Sequence, residues 1–112
     1  MEQSFDYIRT ENIGITTEDK YPYKGKYEGK CLKYGGEVKI ETYLHSEIIH
    51  RCRGLLEITR LGPVSIGVDA TVWSSYGSGV FDQDCDRDQT NHAVLLVGFD
   101  EEYNWIIKNS WG

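Results

Sequence analysis

Residues 91–111 read NHAVLLVGFDEEYNWIIKNSW, two apolar runs separated by the polar spacer DEEYN at 100–104. The first run, HAVLLVGF (92–99), is apolar at both sets of alternate positions. That pattern suits a central strand buried on both faces. The second, WIIKNSW (105–111), reads as a further strand. Strands joined by so short a spacer run antiparallel, so the start of one lies beside the end of the other. His92 and Asn109 occupy those two places.

A lone His at a strand mouth is more often structural than catalytic, and a lone Asn at a strand end commonly caps a turn. The pair carries more information than either member. An amide oxygen from Asn109 can accept an imidazole N–H from His92, which fixes the ring's orientation and tautomer. Trp111 falls on the same strand face as Asn109, where an indole can cover that bond. Together they form the base and orienting group of a nucleophilic site, still without its nucleophile.

Working outward, PVSIGVDAT (63–71) places Val64, Ile66, Val68 and Ala70 on one face and predicts a strand. WSSYGSGVFD (73–82) reads as a Gly- and Ser-rich loop leading to a short strand, and CDRDQTN (85–91) as a charged loop. Upstream, HSEIIHRCRGLLEITRLGP (45–63) predicts a helix with Ser46 as N-cap. Its apolar stripe is Ile48, Cys52, Leu55 and Leu56, and Gly62-Pro63 ends it. Gly54 weakens the helix by its propensity cost. EVKIETY (37–43) alternates as a strand would. GITTEDKYPYKGKYEGKC (14–31) reads as an ordered loop, since its tyrosines call for packing. The first residues put Met1, Phe5 and Ile8 on one helical face, with Gly14 as the stop. Helices followed by strands give an α+β class.

The bulk properties exclude several classes. The chain has 112 residues, 39% of them hydrophobic, and a net charge of -6. The apolar runs are too short for a transmembrane helix. The acidic balance lacks the footprint of a nucleic-acid binder. The stretch after Met1 has no basic and apolar leader, so the chain is expected to be cytosolic or to have its start missing. The three cysteines, Cys31, Cys52 and Cys85, form no CxxC, and the three His are not spaced as zinc ligands. Dispersed cysteines in polar loops are either disulfide halves with partners elsewhere or free surface thiols.

NHAVLLVGF, YNWIIKNSWG, YPYKGKYEGKC and GPVSIGVDA together strongly resemble the papain-like cysteine peptidases, the group of papain and the cathepsins. The resemblance covers the whole chain, and MEQSFDYIRTENIGI is similar to the helix after the family's glycine-rich cleft segment. It implies the end of a helical domain (1–43) and most of an antiparallel β-barrel-like domain (44–112). His92 matches the catalytic His, Asn109 the Asn that orients it, and Trp111 the shielding aromatic. Met1, Gly67, Asn91 and Ala93 fall on substrate-binding positions, with Gly67 implying a roomy pocket for the residue preceding the scissile one.

No cysteine here stands in the family's C-G-[SA]-C-[WY] context. The resemblance therefore implies a piece of a longer peptidase, with the nucleophile, the oxyanion-hole Gln and the glycine-rich wall upstream and Met1 an internal residue. Cys31 and Cys85 are then halves of two disulfides whose partners lie outside the chain, and Cys52 is a buried free thiol. The implied function is cysteine-type endopeptidase activity on protein or peptide substrates. Cystatin-type inhibitors and the enzyme's own propeptide are implied partners, and the lysosome or the extracellular space the location. No metal or organic cofactor is implied. The alternative is a non-catalytic homologue with a binding or scaffolding role, in which retention of His92, Asn109 and Trp111 would have no purpose.

Overall fold

The computed structural model describes residues 1–11, 13–30, 35–45, 52–86 and 88–111. The chain divides into two compact units, Met1–Ser46 and Glu47–Gly112.

In the first unit, helix α1 spans Glu2–Glu11. Glu2 in its first turn and Arg9 in its last both favour the helix macrodipole. Arg9 also pairs with Asp6 at 3.0 Å, one turn away. Of the expected apolar face, Phe5 and Ile8 are half-buried, while Met1 precedes the helix and is exposed. Phe5 packs on Tyr43 with ring centroids 5.4 Å apart, and the Arg9 guanidinium lies 5.8 Å from the Tyr43 ring centre. A hydrogen bond to Asp6 raises the Tyr43 phenol pKa above its usual value, with desolvation adding to it.

Gly14 does more than stop a helix. Its φ is 69°, and a Cβ there would stand 2.2 Å from the Gly36 carbonyl oxygen. A glycine is needed where two backbones cross this closely. The crossing supports one isolated antiparallel bridge, Ile15 to Val38, with Gly36 N–H donating to the Ile13 carbonyl at 2.8 Å. The strand expected over 37–43 is reduced to that bridge: Val38 is exposed, so alternation there buries too little to extend pairing. Two tyrosines of the 14–31 segment also stay out in solvent rather than packing. Tyr23 and Tyr27 are 87% and 91% exposed, and order in that loop comes from polar contacts instead. Glu18 accepts the Tyr23 N–H at 2.7 Å, and Lys24 pairs with Glu28 at 2.9 Å.

In the second unit, helix α2 spans Cys52–Thr59 and strand β1 Val64–Val68; strands β2 and β3 span His92–Phe99 and Trp105–Lys108. The three strands form one antiparallel sheet in the order β1-β2-β3. Helices and an antiparallel sheet in sequence are the α+β class expected. α2 packs on β2. Leu55, Leu56 and Ile58 are half-buried and Thr59 is buried, its hydroxyl donating to the Leu55 carbonyl at 2.8 Å. Cys52 opens the helix and is exposed, so it is not the buried thiol expected; the burial falls on the later turns. The proposed N-cap Ser46 and the stripe residue Ile48 lie outside the described residues.

The sheet's core face carries Val64, Ile66 and Val68 of β1 opposite Leu96, Val94 and His92 of β2. Leu96 is fully buried, and Val94 and Ala70 nearly so. The other face of β2 is open in this chain: Ala93 and Val97 are exposed. β2 is thus central, as expected, yet buried on one face. No strand forms between Tyr76 and Asp86. A 3-10 turn, Trp73–Ser75, precedes that segment, and Tyr76 and Val80 stay exposed rather than alternating against a partner.

Candidate active site

The β2–β3 connection is built on Asp100. Its Oδ1 accepts N–H bonds from Glu102 and Asn104 at 2.9 and 2.8 Å, and its Oδ2 accepts from the Asn104 amide at 3.0 Å. These bonds, the Asn104 side chain first, hold the Asp100 pKa below the usual carboxylate value. Tyr103, at φ 66°, completes the reversal. Short polar side chains that bond their own backbone are what tight turns require.

A bulge in this hairpin decides which face Asn109 occupies. Phe99 pairs with Trp105 and Gly98 with Ile106, but beyond the irregularity Leu96 pairs with Ile107 and Leu95 with Lys108. Continued past Lys108, that register sets His92 opposite Trp111 and puts Asn109 on the face of His92. Without the extra residue Asn109 would fall on the opposite face, because a one-residue slip inverts every side chain.

The resulting contacts are short. The His92 Nε2 and the Asn109 Oδ1 are 2.9 Å apart. The same Oδ1 accepts the Ser110 N–H at 2.8 Å, so the atom facing the imidazole is an acceptor and Nε2 is the donor. The proton position on the ring is thereby fixed at Nε2, and Nδ1 is left for other chemistry. Trp111 lies over the imidazole with centroids 4.5 Å apart and planes inclined by 34°. Trp111 itself is 56% exposed and stands beyond the last strand residue. Among the described residues no cysteine sulfur is bonded to His92, and Cys85 and Cys52 are exposed free thiols. Cys31 lies outside the described residues.

The residues before His92 are clamped to the end of β1. Asn91 N–H donates to the Val68 carbonyl at 3.1 Å. Its side-chain oxygen accepts the Ala70 N–H at 2.8 Å, and its amide donates to Thr71 Oγ1 at 2.9 Å and to Asp69 Oδ1 at 3.0 Å. Asp69 in turn accepts from the Thr71 hydroxyl and N–H, and from the Asp86 N–H at 3.0 Å. The Thr71 hydroxyl, then the Asp86 and Thr71 N–H groups, hold the Asp69 pKa down to about 2. A pKa depressed on folding stabilises the fold above the unfolded value of 3.8 and ceases to as pH falls towards about 2. Asp69→Asn in the full-length protein is therefore expected to lower the thermal midpoint at neutral pH. The gap from wild type should close between about pH 4 and pH 2, as thermal melts across that range would record.

Of the other positions expected to bind substrate, Gly67 pairs with Ala93 across β1 and β2, and both are exposed. The space left by Gly67 is not empty: a Cβ there would stand 2.5 Å from Thr90 Cγ2. Thr90 thus fills part of the room that glycine was expected to open. Met1 belongs to the first unit and is 53% exposed. The amide of Asn91 is engaged by the 69–71 turn and its backbone N–H by the Val68 carbonyl.

Three residues at this site escape a reading of sequence pattern. Asp69 and Thr71 form an Asp-x-Thr turn, a local signal that was available. Trp73 stands 6.0 Å from the His92 ring and 6.2 Å from Trp111, and nothing in its Ser-rich surroundings marks it.

The sequence matches the profile described as papain family cysteine protease over residues 1–112. The chain belongs to the papain family of cysteine proteases. It is 39% identical to cathepsin K of Mus musculus over 130 aligned positions, which cover 100% of this chain and 36% of that protein. It is 37% identical to a cathepsin L-like protein of Caenorhabditis elegans, covering 100% of this chain and 35% of that one. The chain thus spans about a third of the length of the curated relatives it matches. Among solved structures, the bromelain protease of Ananas comosus in complex with the E64 inhibitor superposes with a TM-score of 0.78 at 30% identity, over 98% of this chain and 53% of that one. Digestive procathepsin L2 of Tenebrio molitor gives 0.77 at 29% identity, over 97% and 36%. The two helices and antiparallel sheet are thus part of the papain-like α+β fold.

Proposed function

We propose that the full-length protein is a cysteine-type endopeptidase and that this chain supplies two of its three catalytic groups, His92 and Asn109. The supporting observation is the 2.9 Å bond from His92 to an Asn109 oxygen whose orientation Ser110 already fixes, lying beside the indole of Trp111. An imidazole held by its Nε2–H presents Nδ1 to a reacting group, which is what a base paired with a thiol needs.

The chemistry follows from that geometry. A cysteine outside residues 1–112 transfers its proton to His92, giving a thiolate and an imidazolium. The thiolate attacks the peptide carbonyl carbon and the new C–S bond forms. As the C–N bond breaks, His92 returns the proton to the leaving amine. Water then attacks the thioester, His92 takes its proton, and the carboxylate product and free thiol are released. Asn109 keeps the ring in plane throughout, and Trp111 limits water at the Asn–His bond. No step calls on a metal or an organic cofactor.

Met1, Gly67, Asn91 and Ala93 are assigned to substrate binding, with Thr90 added because its methyl covers Gly67. The segments 1–43 and 44–112 are assigned to the family's helical and β-barrel-like domains, an assignment that the compact units Met1–Ser46 and Glu47–Gly112 support. Cys31 and Cys85 are assigned as disulfide halves; Cys85 is exposed and free among the described residues, as a half with an outside partner would be. Peptide substrates, a propeptide and cystatin-type inhibitors are the proposed partners, and the lysosome or the extracellular space the proposed location. No helix among the described residues is long and apolar enough to cross a membrane.

The test is a fluorogenic peptide assay on two proteins. The full-length protein is expected to turn over a Phe-Arg substrate. The 112-residue chain is expected to show no turnover, because none of its cysteines stands in the family's nucleophile context. Turnover by the short chain that disappears in His92→Ala would refute the assignment of the nucleophile to another segment.

A further inference from the structure

We propose that Asp69 is a positioning residue for His92: its carboxylate grips both ends of segment 86–91 and so fixes the main chain from which the imidazole projects. This rests on the reading of His92 as the catalytic base. The imidazole is anchored at its tip by the hydrogen bond from Nε2 to Asn109. A ring held at its tip keeps its place only if its main chain is fixed too. His92 is the first residue of β2, and the residues just before it belong to no strand.

One carboxylate secures that approach. Its Oδ2 accepts the Asp86 N–H at 3.0 Å, and its Oδ1 accepts the Asn91 amide at 3.0 Å. Between these points the loop folds on Asp86, whose side chain takes the Asp88 N–H at 3.0 Å and whose carbonyl takes the Gln89 N–H at 3.3 Å. The Asn91 amide fits only one way round. The Ala70 N–H can only donate, so Oδ1 faces it, at 2.8 Å. An ionised Asp69 can only accept, so Nδ2 faces it. The second Nδ2 hydrogen goes to Thr71 Oγ1 at 2.9 Å, whose own hydrogen is given to Asp69. With its pKa held down to about 2, Asp69 remains an acceptor from mildly acidic to neutral pH. An aspartate at 91 would bring two carboxylates together. The residue before His92 is therefore matched to Asp69 as donor to acceptor.

The test uses the full-length protein with Asp69→Ala, Asn91→Asp, the double variant Asp69→Asn, Asn91→Asp, and His92→Ala. One readout is kcat after active-site titration. The other is the rate at which iodoacetamide modifies the nucleophilic cysteine near pH 6, which involves no substrate. Alanine at 69 removes every acceptor, and both rates are expected to fall about fivefold with KM within about threefold of wild type. Asn91→Asp sets carboxylate against carboxylate, and a loss of about tenfold is expected. In the double variant the pairing returns with donor and acceptor exchanged, and both rates are expected to recover to within about twofold of wild type. A role in stability alone predicts no such recovery, since it changes the number of active sites and not their speed. Wild-type rates in Asp69→Ala, a double variant no faster than Asn91→Asp, or a loss confined to KM would overturn the proposal. If a single variant does not fold, the double variant decides, near-wild-type rates supporting the proposal and impaired rates overturning it. If wild-type turnover survives in His92→Ala, the reading of His92 fails and the role of Asp69 falls with it. If turnover depends on His92 and Asp69→Ala is neutral, only the role of Asp69 falls.

Discussion

Replacing His92 by alanine in the full-length protein is expected to lower kcat about 10⁴-fold, with KM changed by less than about threefold. In the proposed mechanism the proton is moved twice by this one ring, to the leaving amine and from the attacking water. The thiol also loses the imidazolium that keeps it ionised near neutral pH, so attack itself is slowed. Residual turnover should come from substrate binding and the oxyanion hole, which His92 does not build. Substrate affinity is set elsewhere, so a KM that rises in step with the loss of kcat would place His92 in binding rather than in proton transfer. Steady-state kinetics with active-site titration measures both. The fold should tolerate the change, because His92 is only half-buried and its bonds are to Asn109 and two exposed or half-exposed indoles.

Asn109→Ala should be the milder lesion. It removes one hydrogen bond, from Nε2–H to Oδ1, which becomes charge-assisted once the ring is an imidazolium. Such bonds are worth about 1.5–3 kcal/mol, so kcat is expected to fall by roughly 10- to 150-fold. The loss should lie in kcat, with the double variant His92→Ala, Asn109→Ala no worse than His92→Ala alone, since the amide acts only through the ring. Additive losses in that double-mutant cycle would mean that Asn109 has a separate task. The Ser110 N–H loses its acceptor too, but Asn109 and Ser110 are exposed, and water replaces it at small cost.

Much of this site is legible in residues 91–111 because a short hairpin converts sequence order into proximity. The polar spacer and the two apolar runs suffice to pair His92 with Asn109. They do not suffice to put both on one face. That depends on the irregularity between Leu96 and Gly98, which no alternation of side chains announces. The glycine at 98 is compatible with a bulge without requiring one. β1 is similarly legible, since Val64, Ile66 and Val68 alternate cleanly and meet Leu96, Val94 and His92. The strand expected at 37–43 shows the opposite case: the same alternation occurs where no apolar layer covers Val38, and only a bridge forms. Pattern identifies what a face is able to bury, and packing decides whether it does. Trp73 is the clearest omission. Its partners, His92 and Trp111, are far away in sequence, and contacts across such separations leave no periodic mark.

The most direct measurement is the pH dependence of thiol alkylation in the full-length protein, with and without His92→Ala. Iodoacetamide is applied from about pH 4 to pH 9, and the modified cysteine is identified by peptide mapping, which separates it from exposed Cys52 and Cys85. The expected result is one cysteine outside residues 1–112 that alkylates rapidly near pH 5–6, well below the ordinary thiol value of about 8.5, and that loses this low-pH reactivity in His92→Ala. A protein with no such cysteine, or one whose low-pH reactivity is unchanged when His92 is removed, would contradict the assignment of His92 as the base of a thiol peptidase.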